Sequence, residues 1–383
     1  MKSVDIWGDP GVQVSGILDW EPTGEGARAR RLPAWTRSQI LDPALRMVAT
    51  MPSGGRIELV TDTTAVELDV LLTQLQMGDE PVREAVFDLV VDGELFGSMS
   101  ERRGRIIKVD PPTGAMTVER GPAVIIRFDG LGPGVGRLEL WLAHNASVEV
   151  RAMRVDDGAR LDPVPPAGRR WVHYGSSISH CMEASNPTGV WPVVAARLAG
   201  VDLTNLGLAG QCHVDQFVAR TIRDLGVDLI SLKLGINVVN GDTMRERAFL
   251  SAVQGFLDTV RDGHPDTPLA IITPIICPAA EDRPGPTVVD GRGQLGTVDR
   301  PPAMSLGALS IGRIRHLLAE VVDARHRAGD LHLHLVDGRE LFGPGDLDDL
   351  PDGLHPNAAG YRRMGERFHR VAFGPSGFFN AAP

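Results

Sequence analysis

The chain has 383 residues, 43% hydrophobic and 23% charged, with a formal charge of −10. At roughly 150 residues per domain, that length implies two or three domains, and the composition excludes bulk disorder, collagen and coiled coil. Both halves are acidic, so neither has the basic excess that a phosphate backbone requires, and nucleic acid is not an expected partner.

Cys181, Cys212 and Cys277 form no C-x-x-C pair, which supports neither a disulfide framework nor a zinc ribbon. The N-terminal residues lack the apolar core of a secretory signal, and no run reaches the roughly 18 apolar residues of a membrane span. A reduced, cytoplasmic protein without a membrane partner is expected. The composition is silent on oligomeric state.

Up to about residue 160 the apolar residues recur with period two. Val66, Leu68 and Val70 alternate with Glu67 and Asp69; Leu138 and Leu140 flank Glu139; Val148, Val150 and Ala152 alternate with Glu149 and Arg151. Such alternation suits strands with one face in a core and one in water. Asp92-Gly93 stands between two apolar runs and predicts a hairpin turn. No segment of this half carries a 3.6-residue stripe. Residues 1–165 are therefore predicted to form an all-β, jelly-roll-like sandwich, an accessory domain of the carbohydrate-binding-module kind. The proline-rich stretch from Leu161 to Gly168 reads as a short stiff linker.

Beyond it, residues 166–383 change period. Apolar runs at Trp171–Tyr174, Asp202–Leu206, Asp228–Leu234, Leu269–Thr273 and Leu331–Val336 alternate with helical stretches. The helices are predicted near Trp191–Leu198, Val214–Leu225, Thr243–Arg261, Ser305–Arg327 and Asn357–Val371. Strand–helix alternation predicts an α/β domain with a parallel sheet covered on both faces, its ligands beyond the carboxyl ends of the strands. Pro274–Met304, rich in Pro, Gly and charge, reads as a long structureless loop of the lid type.

The residues able to do chemistry follow those runs: Gly175-Ser176-Ser177, then Gly207-Leu208-Ala209-Gly210, then Gly235-Ile236-Asn237, and finally Asp352-Gly353-Leu354-His355 opening the last helix. A serine hydroxyl needs a base within hydrogen-bond reach to act as a nucleophile. His355 can be that base, with Asp352 fixing its tautomer. The oxyanion of a tetrahedral intermediate needs preorganised donors; the Ser177 and Gly210 amides and the Asn237 side chain are candidates.

These four segments resemble the signature blocks of the SGNH (GDSL) hydrolases. The resemblance implies a three-layer, flavodoxin-like domain with a five-stranded parallel sheet and an acyl-Ser177 intermediate. It assigns Ser177, Asp352 and His355 to the catalytic triad and Ser177, Gly210 and Asn237 to the oxyanion hole. Two positions depart from the family. Ser176 stands where the family has Asp, and Val238 follows Asn237 where a second Asp is usual. The elbow G-x-S-x-G of the other large serine-esterase fold is not met, because Ser179 replaces its second Gly.

The whole chain, including Pro-Ala-Trp at 33–35 and Pro-Ser-Gly at 52–54, resembles actinobacterial GDSL proteins with an N-terminal sandwich, and its overall layout resembles GDSL-type acyltransferases that pass an aryl group from its CoA thioester to a tetracycline-like polyketide. A sandwich before an SGNH domain also resembles carbohydrate esterases. The expected partners are thus a small-molecule acyl donor and a hydroxyl acceptor, with no cofactor beyond an acyl-CoA co-substrate. Whether alcohol or water takes the acyl group stays open, since both attack the same intermediate. A third reading is a binding module, for which exposure of Trp7, Trp20 or Trp35 would count.

Other features have plainer readings. Gly291-Arg292-Gly293-Gln294-Leu295-Gly296 matches G-x-G-x-x-G, but a dinucleotide site also needs a flanking strand and helix. His332 and His334 share a strand face without an evident third metal ligand. His180 and His213 lie near the motifs and could contact substrate, but neither has the D-x-x-H context of His355. The three cysteines follow strands, where buried thiols or a pocket rim are expected.

Overall fold

The computed structural model describes residues 1–110, 113–166, 168–290 and 293–380. Ala167 of the expected linker and Gly291 and Arg292 of the glycine motif lie outside the described residues. The chain divides into two compact units, Met1–Ala167 with Ser185–Thr188, and Gly168–Ala184 with Gly189–Pro383.

The first unit is built from an eight-stranded and a six-stranded sheet. Strands Ala65–Met77 and Ser147–Val155 pair antiparallel in the larger one. Leu68, Val70, Val148 and Val150 point into a core shared with Ile57, Leu59, Phe87, Leu89, Leu138 and Leu140 of the smaller one. This is the period-two pattern realised as two inner faces. Asp92 and Gly93 take φ of 50° and 87° between strands Ala85–Val91 and Glu94–Glu101, the backbone that a two-residue hairpin demands. Asp88, fully buried, accepts bonds from Asn186 Nδ2, Thr188 N and Thr188 Oγ1 at 2.7–3.0 Å. Those bonds tie Ser185–Thr188 into this unit.

One expectation for this half changes. A six-residue helix, Pro43–Val48, forms on an N-cap from Asp42, whose side chain accepts the Leu45 N–H. It is too short to write a stripe into the sequence. Trp7 and Trp35 are exposed, whereas Trp20, half-buried, packs against the sandwich core and meets Trp7 edge-on at 6.0 Å.

The second unit holds five parallel strands: β1 (Arg170–Gly175), β2 (Asp202–Gly207), β3 (Leu229–Lys233), β4 (Leu269–Ile272) and β5 (Leu333–Val336). Their order is β2-β1-β3-β4-β5, and every residue of β3 and β4 is buried. The helices are α1 (Ser177–His180), α2 (Trp191–Ala199), α3 (Gln216–Asp224), α4 (Ile236–Asn240), α5 (Glu246–Gly263), α6 (Ile311–Arg327), α7 (Gly338–Leu341) and α8 (Ala358–Phe368). Trp171 and Tyr174 lie an odd number of residues apart on β1 and so face opposite sides of the sheet. Trp171 stacks on Phe368 of α8 at 5.3 Å, whereas Tyr174 stacks on Phe256 of α5 at 5.5 Å. Helices therefore cover both faces, and the unit has three layers. In this strand order the reversal point lies beside β1, where ligand sites of doubly wound sheets form.

Pro274–Met304 is not the structureless loop that its composition suggested. Thr287–Val289 and Leu295–Thr297 pair as a small antiparallel hairpin, and Pro302–Met304 makes a 3₁₀ turn. The buried Arg315 of α6 bonds the Pro274 and Ile275 carbonyls and the Glu281 carboxylate, which pins the entry to the segment. The described part of the glycine motif lies in and after the turn of this hairpin, with no helix following, so it is not a dinucleotide fingerprint.

Candidate active site

Ser177 is the first residue of α1, two positions past the end of β1. Ser176, in the place of the family's Asp, caps that turn: its Oγ accepts the Ile178 N–H at 3.3 Å. The His355 Nε2 lies 2.9 Å from Ser177 Oγ, and its Nδ1 lies 2.7 Å from Asp352 Oδ2. The second carboxylate oxygen accepts the Leu354 and His355 amides at 2.8 and 2.6 Å, so the loop itself orients the acid. Burial alone would raise the Asp352 pKa. The bonds from the His355 ring and amide outweigh it and hold the carboxyl at about 2, ionised throughout the neutral range.

Gly210 occupies the turn after β2 with φ of 71° and open space where a Cβ would stand. Asn237 is the second residue of α4, after β3, and is buried. Its Oδ1 accepts the Cys212 N–H at 3.0 Å, which ties the β2 and β3 loops together and leaves the amide NH₂ as the end for a ligand. Ser177, His355 and Asp352 thus form one hydrogen-bonded chain. Gly210 and Asn237 stand in the loops after the two strands that flank β1.

A buried polar layer under the Ser177 turn was not singled out by the sequence. His173 on β1 reaches Ser179 Oγ with Nε2 and Ser231 Oγ with Nδ1, both at 2.7 Å, and Trp171 Nε1 donates to the same Ser231 at 2.9 Å. Burial, with the nearby Lys233 charge, presses His173 down to about 3, so the ring is neutral. Asn205 at β2 donates to the Ser179 carbonyl and accepts the Gly207 amide, each at 2.9 Å. The signal available was the interruption of apolar strand runs by His173, Asn205 and Ser231. Its meaning depends on which strands become neighbours.

The remaining candidates fall into place beside the site. All three thiols are buried and free. Burial raises Cys181 well above its usual value, Cys212 to about 12 and Cys277 to about 11, so they are protonated packing residues. His180 is buried, and His213 Nδ1 meets Thr243 Oγ1 at 3.1 Å. His334 stacks on Phe378 at 4.9 Å. Among the described residues no three or more His, Cys, Asp or Glu gather as a metal site, and no helix is long and apolar enough to cross a membrane.

Residues 173–363 match the GDSL-like Lipase/Acylhydrolase family. The chain belongs to the GDSL family through its second unit. No curated protein matches it in sequence. Among solved structures it is similar to the salicylyl-acyltransferase SsfX3 from a tetracycline biosynthetic pathway, with 24% identity, 98% of each chain covered and a TM-score of 0.81. It is also similar to a family two carbohydrate esterase from Clostridium thermocellum, with 16% identity, 94% of this chain and 97% of that one covered, and a TM-score of 0.62. A third likeness, to the family two carbohydrate esterase of Cellvibrio japonicus, has 11% identity, 94% coverage of each chain and a TM-score of 0.54. At these identities the likenesses are of fold, and they span both units of this GDSL-family chain. The protein is an enzyme of the acyltransferase or esterase type.

Proposed function

We propose that this GDSL-family enzyme passes an acyl group from an ester or CoA thioester, through acyl-Ser177, to a hydroxyl of a small molecule. The observation that carries it is the unbroken chain Ser177 Oγ, His355 Nε2, His355 Nδ1, Asp352 Oδ2 at 2.9 and 2.7 Å. In the first half-reaction, Ser177 Oγ attacks the donor carbonyl as its proton passes to His355 Nε2. Asp352 stabilises the imidazolium without taking its proton. The carbonyl oxygen becomes an oxyanion, for which the Ser177 and Gly210 amides and the Asn237 NH₂ are the donors. Collapse of the intermediate expels the alcohol or thiol, which leaves with the proton from His355. In the second half, His355 takes the acceptor hydroxyl's proton, the acceptor oxygen attacks the acyl carbon, and the proton returns to Ser177 Oγ.

An alcohol acceptor is favoured by the fold likeness to SsfX3, which extends over 98% of both chains. The likeness to carbohydrate esterases supports a second reading, with water as acceptor and a sugar ester as donor. Intact-protein mass spectrometry with a panel of acyl-CoA thioesters and simple esters tests both. The expected result is an acyl adduct on Ser177 that persists in water and is discharged by a hydroxylated aromatic or glycoside acceptor. Prompt hydrolysis whatever the acceptor would establish the esterase instead. Ser177→Ala should abolish both the adduct and labelling by a fluorophosphonate. His355→Ala should lower kcat by about 10⁴ or more, and Asp352→Asn by about 10²–10⁴. Full turnover by Ser177→Ala would sink the mechanism.

A further inference from the structure

The first unit contains a cavity of about 530 Å³ whose lining includes Arg28, Arg30, Arg37, Arg46 and Arg105 against a single carboxylate, Glu21. The strand pattern explains the arginines. Ala27 and Ala29 are buried, Ala29 in the sandwich core, so Arg28 and Arg30, alternating with them, stand on the outer face of the eight-stranded sheet. Arg105 lies opposite Thr73 on the same sheet, and Pro43, Arg46 and Met47, on or beside the short helix Pro43–Val48, line the cavity with them.

The positive charge is incompletely matched. Asp19 pairs with Arg37 and, at 3.7 Å, with Arg30; Glu21 meets Arg28 and Arg30 at 3.4 Å; Glu149 meets Arg28 and Arg105 at 3.8 and 3.5 Å. Three carboxylates thus serve four guanidiniums, and among the described residues the fifth, Arg46, has no carboxylate partner. Arg30 is 4% exposed, and its Nε and Nη2 have no hydrogen-bond partner among the described residues. Burial, with the Arg37 charge nearby, lowers its pKa against the pull of Glu21 and Asp19. A buried guanidinium with idle donors beside others of like charge is stabilised by an added anion.

We propose that this cavity is a binding site for a phosphate-bearing small molecule, with Arg30 at its floor and Arg28, Arg37, Arg46 and Arg105 around it. Guanidinium forks match phosphoryl oxygens two at a time, which carboxylate-poor clusters of arginine exploit. Met47, Ile107 and Val118 give the same cavity an apolar side for an organic body. Among the described residues none of the cavity lining is aromatic, which leaves no stacking platform of the kind a sugar site uses. The proposal is independent of the acyl-transfer reading, because its residues all lie in the first unit and its readout is binding.

Isothermal titration of the full chain with inorganic phosphate, pyrophosphate, ADP and glucose tests it. Pyrophosphate or ADP should bind, more weakly as salt rises. Arg30→Gln should weaken binding at least about tenfold, whereas Ser177→Ala should not change it. Stronger binding of ADP than of pyrophosphate would mark an organic phosphate ester as the ligand, and the reverse order a free phosphate anion. If Arg30→Gln fails to fold by circular dichroism, Arg105→Gln and Arg46→Gln at the cavity edge carry the test, each with a loss of about threefold or more. The proposal is overturned if no phosphate compound binds at about 10 mM, if the folded arginine variants bind as well as the parent, or if glucose binds where the phosphates do not.

Discussion

Asn237 Oδ1 and the Cys212 amide lie 3.0 Å apart, so one side chain joins the loops after β2 and β3 and presents its NH₂ as the free end of the amide. Under the proposed acyl transfer its two ends have separable duties, the oxygen structural and the nitrogen electrostatic.

Asn237→Asp keeps the oxygen that accepts from Cys212 and deletes the donor. Its kcat should fall by about 10²–10³, the usual cost of losing one oxyanion donor, while the folded state survives. Asn237→Ala should lose activity similarly and also lose stability, by about 1–3 kcal/mol, because the buried Cys212 N–H is left without its acceptor. Steady-state kinetics and thermal unfolding on both variants check this; equal stability of the two would refute the division of roles.

Gly207 ends β2 directly under α1. A Cβ there would stand 2.4 Å from His180 N and from the Ser179 carbonyl carbon, all backbone of the nucleophile turn. Gly207→Ala must displace that turn, and a misplacement of about 1 Å at a nucleophile costs about 10² in rate. We expect kcat to fall by that order with the protein still folded. Parent-like turnover would show that the turn can shift without moving Ser177 Oγ.

Lys233 ends β3 fully buried, and its Nζ has no hydrogen-bond partner among the described residues. Burial, with Arg315 adding to it against the pull of the nearby thiols, lowers its pKa from 10.5 to about 8. A folded pKa below the unfolded one means that the unfolded state binds the extra proton between about pH 8 and 10.5. Stability attributable to this group is therefore lowest below pH 8 and recovers as pH rises through that window. Lys233→Met should stabilise the protein by about 2 kcal/mol at pH 7 and by little above about pH 10. Denaturant unfolding across pH reads the difference; a gain that did not shrink with pH would mean that packing, not charge, is responsible.

Much of this architecture is written in local pattern. Alternating Val66, Leu68 and Val70 specify a strand with one dry face, Asp92-Gly93 a hairpin, and apolar runs spaced by helices a parallel sheet with its loops at one end. The proposed site residues stood out for a similar reason: Ser177, Gly210 and Asn237 each follow the end of a strand run, and Asp352 and His355 stand three residues apart just before the last helix. What stayed hidden depends on which distant segments become neighbours. His173, Ser179 and Ser231 form one buried chain only because β1 and β3 lie side by side in register. The hairpin in Pro274–Met304 needs a pairing that turn-rich composition conceals.

By itself the sequence determined the period of the main strands and helices and marked the residues proposed to react, because both are properties of neighbours in the chain. Tertiary structure decided which hydroxyl the imidazole reaches. It also gathered five arginines from separated segments around one cavity whose charge the local sequence does not balance. Those outcomes depend on strand order and sheet face, which bring together groups that no local spacing relates.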